Sequence, residues 1–179
     1  MLKMAETLRN LQESTLNIVL IGFKSCGKTT VGKLLAKQLH RAFYDTDAML
    51  LDKTGGNIFD LFNLVGEKKF RLLEREIILN MNVNNSVIAL GGGTILDDVS
   101  MTKLTKDSFF IYLDVDKEML RKRILSDKMN IFKNDIDKFE KAYALRKEIY
   151  KKYADMSIAC TEEMLEEICS KIASVPSLK

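Results

Sequence analysis

Five short apolar runs recur along the chain: NIVLIG (17–22), AFYD (42–45), SVIAL (86–90), SFFIYL (108–113) and MSIAC (156–160). Each is too brief for a helix, rich in β-branched or aromatic residues and bounded by polar positions, so each predicts a buried strand. Between them the spacing changes to that of a helix. VGKLLAKQL follows the first run, and in KKFRLLEREIILNM the residues Phe70, Leu73, Ile77, Ile78 and Met81 share one helical face. Strand and helix in alternation predict an α/β fold, with a mainly parallel sheet covered by helices on both faces. Ligands of such sheets gather outside the carboxyl ends of the strands. The motifs described below follow a predicted strand or lie on a helix able to lean over that edge.

Composition narrows the picture only a little. The 179 residues suit one domain, expected over 16–175 after an N-terminal extension of residues 1–15. Lysine plus arginine (28) against aspartate plus glutamate (25) leaves +3, too little to argue for nucleic acid. The basic residues from Lys117 to Lys152 are interleaved with acids and read as a solvated helical face. No apolar run approaches the ~18 residues of a membrane span, and the first fifteen residues lack the apolar core of a signal peptide. Cys26, Cys160 and Cys169 are scattered, without zinc or disulfide spacing, so reduced thiols and a cytoplasmic setting are expected.

The stretch GFKSCGKTT (22–30) follows the first predicted strand and opens the first helix. Gly22, Gly27, Lys28 and Thr29 satisfy the G-x-x-x-x-G-K-[ST] pattern of a phosphate-binding loop. Gly22 permits the turn, and Gly27 lets backbone N–H groups approach phosphate oxygens. Lys28 is expected at the β- and γ-phosphates, the Thr29 hydroxyl on Mg²⁺, and Ser25, Cys26 and Thr30 around the same nucleotide. A guanine-reading N-K-x-D motif is absent, and SVIAL runs into glycines rather than an Asp. The pattern therefore favours a small-molecule kinase over a switch GTPase or a motor.

Acceptor chemistry has three candidates. Asp45 and Asp47 in YDTD are two apart and point the same way if the strand continues; one can organise Mg²⁺, the other can accept a hydroxyl proton. Taken alone, YDTD reads equally well as a turn capping the next helix. Gly91, Gly92 and Gly93 offer bare backbone to an anionic or hydroxylated ligand. Arg71 has Glu74 three residues on to orient it, and Arg146 precedes the last strand; such a pair can grip a small carboxylate in forked fashion.

Together these residues resemble shikimate kinase. GFKSCGKTTVGKLLAKQL is similar to that family's phosphate loop and first helix, and FYDTD to its aspartate strand. TGGNIFDLFNLVGEKKFRLLE (54–74) resembles its T-G-x-x-I-x-x-I/L-F-x-x-x-G-E-x-x-F-R-x-x-E stretch, IALGGGT its glycine triplet, and LRKEIYKKYAD its R-x-x-L/I-Y segment. The resemblance spans roughly residues 16 to 173. It implies a P-loop three-layer sandwich with a five-stranded parallel sheet and a mobile lid, here about 124–136, and ATP-dependent phosphorylation of the shikimate 3-hydroxyl in aromatic amino-acid biosynthesis. It further implies that Asp47 holds and deprotonates the acceptor, that Asp45 joins Thr29 at Mg²⁺, and that Arg71, Arg146 and the glycine triplet bind shikimate. Arg123 would stack on adenine. ATP, Mg²⁺ and shikimate are then the partners, with no nucleic acid or membrane, and the chain is expected to act as a monomer.

Two departures stand out. Family lids carry an R-P-L-L run whose arginine reaches the phosphates, whereas here Met129-Asn130-Ile131-Phe132 lies over it. Lys128, Lys133 and Arg123 are the replacements the sequence offers. In the loop, Ser25 and Cys26 stand where the family has glycine and a small residue. Oxidation at Cys26 would disturb nucleotide binding, but a small side chain simply tolerated there is the favoured reading. A gluconate-type kinase, or a non-catalytic nucleotide-binding relative with a degenerate lid, remain as alternatives.

Overall fold

A computed structural model describes residues 15–127 and 130–161. Five parallel strands form one sheet: β1 (Asn17–Ile21), β2 (Ala42–Asp45), β3 (Ser86–Ala89), β4 (Ser108–Val115) and β5 (Met156–Cys160), in the spatial order β2-β3-β1-β4-β5. The central strand β1 registers Ile18 against Val87 of β3 on one side and Phe109 of β4 on the other. All five apolar runs of the sequence are strands. The expectation that each is buried fails at the two edges. β2 has no fully buried residue, and β5 alternates between half-buried and exposed until Cys160, because an edge strand has a neighbour on one side only.

Among the described residues six α-helices accompany the sheet: α1 (Lys28–Leu39), α2 (Thr46–Thr54), α3 (Ile58–Asn80), α4 (Asp98–Leu104), α5 (Lys117–Ser126) and α6 (Ile136–Tyr153). α1 buries Val31, Leu35, Ala36 and Leu39, the 3–4 spacing read from the sequence. Within it Gly32 is required by contact, since a Cβ there would strike the Phe43 ring of β2. α3 is two helices joined at Gly66, whose φ of 75° and ψ of 163° no helical residue adopts. The break aims the second half so that Phe70, Ile77, Ile78 and Met81 enter the core, while Leu73 reaches only its flank and Glu74 is buried in its place. A carboxylate takes an inward position that an apolar residue was expected to share, and this buried charge belongs to the site.

Behind the site, the Asp97 side chain caps α4, accepting from the Ser100 N–H at 2.9 Å, and also accepts from Arg75 of α3. Hydrogen bonds from Arg75, then from Ser100, hold its carboxyl down at about 2. A depressed folded-state value contributes stability that is present above the ordinary carboxylate range and lost as pH falls toward 2. Asp97→Ala is therefore expected to cost about 1–2 kcal/mol at neutral pH, the usual worth of a lost N-cap. Urea unfolding of both proteins checks this, and the difference between them should shrink between about pH 4 and pH 2.

Candidate active site at the carboxyl edge of the sheet

A cavity of 260 Å³ opens where β1, β2 and β3 end. Its walls combine the loop after β1 with residues from the start of α2, the middle of α3, the glycines after β3, the segment before α6, and α6 itself. Lys28 is held at the loop by donating to the carbonyls of Gly22 and Phe23, each at 2.9 Å. The Thr29 hydroxyl donates to Asp45 Oδ2 at 2.7 Å, so two hard oxygen donors meet beside the phosphate loop. Gly27 begins α1 from a left-handed conformation, φ 100°. Ser25 is also left-handed, φ 67°, a conformation that costs a non-glycine residue roughly 1–2 kcal/mol. Ser25, Lys28, Thr29 and Thr30 line the cavity, but Cys26 does not. Its side chain is 0% exposed and lies under the loop, where a Cβ on Gly22 would meet Cys26 Sγ at 2.8 Å. The small residue is a packing requirement, and a reagent in solvent has no direct path to its sulfur.

The two aspartates do not sit as a continuing strand would place them. β2 stops at Asp45, which caps α2 by accepting from the N–H groups of Asp47 at 3.0 Å and Ala48 at 3.3 Å. Helix begins at Thr46 because this cap satisfies donors that otherwise have no partner. The turn carries Asp47 away from Thr29 and toward α3 and Gly91. Asp45 thus caps α2 with one carboxylate oxygen and accepts from Thr29 with the other.

All three glycines after β3 are there for close approach, since none has a positive φ. A Cβ at Gly91 would lie 2.7 Å from Glu74 Oε1 and 2.8 Å from Asp47 Oδ1; one at Gly92 would lie 3.0 Å from the backbone nitrogen of Lys24. At Gly93 it would collide with the Arg71 guanidinium. The expectation of three bare amides needs correction at Gly91, whose N–H donates to Thr46 Oγ1 at 2.8 Å.

Arg71 is clamped by Glu74 at 2.5 Å and by Glu67 at 3.5 Å. Burial disfavours its charge, but the two glutamates more than offset this and hold the guanidinium firmly protonated. Glu74 also accepts from Thr94 Oγ1 at 3.1 Å. Arg146 is 5% exposed, donates to the Gly92 carbonyl at 3.3 Å, and lies against the adjacent rings of Phe23 and Phe132, 5.4 and 5.7 Å from their centroids. Among the described residues its buried Nε has no hydrogen-bond partner, a donor kept for something the protein does not supply. Tyr150, which sequence reasoning did not single out, donates to the same Gly92 carbonyl at 2.5 Å. Burial pushes its phenol up, so it remains a neutral donor. Burial likewise raises the Asp47 carboxyl, opposed by the charges of Lys24 and Lys28.

A family model described as shikimate kinase matches residues 24–176, and this stretch contains every polar side chain just described. The chain belongs to the shikimate kinase family. It is 35% identical over 152 residues to the shikimate kinase of Xylella fastidiosa (strain M23), covering 83% of this chain and 84% of that one. To the shikimate kinase of Enterococcus faecalis it is 35% identical over 160 residues, covering 87% and 95%. A solved structure of shikimate kinase from Acinetobacter baumannii in complex with shikimate superposes with a TM-score of 0.82 at 28% identity, over 94% of this chain and 96% of that one. The five-stranded parallel sheet is therefore the sheet of a P-loop kinase.

Against the shikimate kinase pattern, the segment expected to form the lid is tied inward where it is described. Met129 and Lys128 lie outside the described residues. Asn130 is 1% exposed, donates to Ser25 Oγ at 3.2 Å and accepts from the Phe132 N–H at 3.0 Å. Phe132 stacks near Phe23 at 5.3 Å, and Ile131 and Phe132 line the cavity. Of the replacements the sequence offered, Lys133 does not line the cavity, and Arg123 Nη1 donates to the Ser25 carbonyl at 3.1 Å.

Because Gly93 is the floor on which Arg71 lies, Gly93→Ala is expected to displace that guanidinium. A tenfold rise in the acceptor KM, about 1.4 kcal/mol, with ATP affinity unchanged would follow. Steady-state kinetics with each substrate varied checks the split.

Proposed function

We propose that the chain transfers the γ-phosphoryl group of ATP to the 3-hydroxyl of shikimate, giving 3-phosphoshikimate and ADP, in the biosynthesis of aromatic amino acids. One observation carries the reading: a phosphate loop, a half-buried Asp47 and two guanidiniums held by unrelated elements converge on a single cavity. Arg71 and Arg146 together suit a planar carboxylate. Asp47 stands between them and the loop, where it can orient the acceptor hydroxyl and take its proton.

In the reaction, the 3-oxygen of shikimate forms a bond to the γ-phosphorus as the bond from that phosphorus to the ADP oxygen breaks. The hydroxyl proton passes to Asp47. Lys28 and the loop N–H groups hold the β- and γ-phosphates through the change. Thr29 and Asp45 would hold Mg²⁺, which supplies neutralisation of phosphate charge when bound. Two oxygen donors beside phosphates fit that ion, which keeps several waters and takes few protein ligands. Arg71, fixed by Glu74, and Arg146, held by the Gly92 carbonyl and two rings, would keep the acceptor from rotating, so the reacting atoms meet in one orientation. Asp47, Arg71, Arg146 and Gly92 are thus assigned to the acceptor, and Lys28, Thr29, Thr30 and Arg123 to the nucleotide. A cytoplasmic monomer acting on small molecules alone fits the buried free thiols of Cys26 and Cys160 among the described residues and the near-balanced charge.

ATP consumption with Mg²⁺ is to be measured with shikimate, with gluconate and with no acceptor, the product identified by mass. Shikimate-dependent ADP formation, one for each 3-phosphoshikimate, is the expected result. Gluconate-dependent turnover would move the acceptor class. Tight nucleotide binding without acceptor-dependent turnover would leave a binding protein instead of a kinase.

A further inference from the structure

Between Arg123 and Arg146 the sequence contains no arginine, so the segment that leans over the cavity cannot bring a guanidinium to the phosphates. Phosphoryl transfer nevertheless needs a cation beside the moving group, because charge spreads over its peripheral oxygens. Among the described residues four cationic side chains line the cavity: Lys24, Lys28, Arg71 and Arg146. Three have fixed partners. Lys28 donates to two loop carbonyls, Arg71 is clamped by Glu67 and Glu74, and Arg146 is held by Gly92 and two rings.

Lys24 differs. It is half-buried, and among the described residues its ammonium makes no hydrogen bond or ion pair within contact distance. Its backbone nitrogen lies against Gly92, 3.0 Å from where a Cβ would stand. It therefore sits at the seam between the phosphate loop and the acceptor glycines. Lys24 and Asp47 line the same cavity, and the charges of Lys24 and Lys28 oppose the upward push of burial on the Asp47 carboxyl. A cavity-lining ammonium without a fixed partner, between the nucleotide loop and the hydroxyl-binding carboxylate, stands where the γ-phosphoryl group must travel.

We propose that Lys24 is a further catalytic residue, whose ammonium contacts the peripheral oxygens of the γ-phosphoryl group during transfer and takes the place of a cation from the covering segment. The proposal rests on the kinase reading above. No bond to Lys24 forms or breaks: the phosphorus passes from the ADP oxygen to the acceptor oxygen, the proton goes to Asp47, and the ammonium stays protonated. Because the side chain starts in the phosphate loop, this cation is in place before any segment closes over the cavity.

The test compares Lys24→Met, which keeps length and removes charge, with Lys24→Arg and the parent. Lys24→Met should lower kcat by about 10²–10³, the range for losing one charge-stabilising group at a transition state. Its Kd for ADP should stay within about threefold, while its Kd for the β,γ-imido analogue of ATP weakens about tenfold. Lys24→Arg should recover most of the lost kcat. A kcat within threefold of the parent in Lys24→Met, or equal weakening for ADP and the analogue, overturns the proposal. The first shows an idle cation, the second a residue that only shapes the loop. If the parent itself shows no shikimate-dependent turnover, the kinase reading fails, and the ADP-against-analogue comparison still decides whether Lys24 meets the γ-phosphate.

Discussion

Replacing Asp47 by Asn is expected to lower kcat by about 10²–10⁴, the usual worth of a positioned general base, with the Kd for ATP within about twofold of the parent. Asn preserves shape and one hydrogen-bond acceptor but cannot take the hydroxyl proton. The neighbours sharpen the expectation: Gly91 lets Asp47 and Glu74 approach a common point, and burial raises both carboxyls. A base must be ionised, so a raised value means that activity falls as pH drops through a point above the ordinary carboxylate range. The acid limb of kcat/KM should lie there and vanish from whatever activity the Asn variant keeps. Normal turnover in that variant would remove Asp47 from the chemistry and leave it a hydroxyl-binding role at most.

Arg146→Met should act on binding of the acceptor. The guanidinium lies against the Phe23 and Phe132 rings, and a thioether packs well beside aromatic rings, so the fold should persist. A charge-assisted hydrogen bond to a carboxylate is worth about 1.5–3 kcal/mol, which corresponds to a rise of about 10–150-fold in the KM for shikimate. Lysine should not rescue it, because an ammonium cannot copy the planar fork that lies on the rings. Initial rates with shikimate varied, alongside thermal melts to confirm folding, check this. An unchanged KM would show that Arg71 alone grips the acceptor.

Much of this arrangement was legible in the chain. Short apolar runs bounded by polar residues marked all five strands, because a buried strand has little freedom to be anything but apolar. GFKSCGKTT marked the loop, because a phosphate cradle constrains backbone as well as side chains. The geometry after β2 was open: YDTD fitted either a strand carrying two aligned carboxylates or a cap, and the Asp45–Ala48 hydrogen bond shows a cap that also serves Thr29. Glu74 was legible as the partner of Arg71, but its approach to Asp47 depends on Gly91, seventeen positions further along the chain. The roles of Lys24, Phe132 and Tyr150 were not legible for a related reason. Each lies in a stretch whose sequence says little about its contacts; the role comes from partners distant in sequence, such as Gly92 for Tyr150 and Phe23 for Phe132.

The order of strands in the sheet has a consequence for how the molecule comes into being. β1 occupies the middle, yet its two neighbours are β3, near residue 86, and β4, near residue 108. During synthesis the apolar NIVLI segment leaves the ribosome without either partner, and the first of them, β3, begins only at Ser86. Pairings so distant in sequence are slow to close and leave sticky surface in the meantime. The phosphate loop is made early, but its shape is fixed late, and Arg146 of α6 joins it later still. A chain arrested after β3 would carry the whole nucleotide motif in its sequence and lack β4, one of the two strands that pair with β1 beneath it.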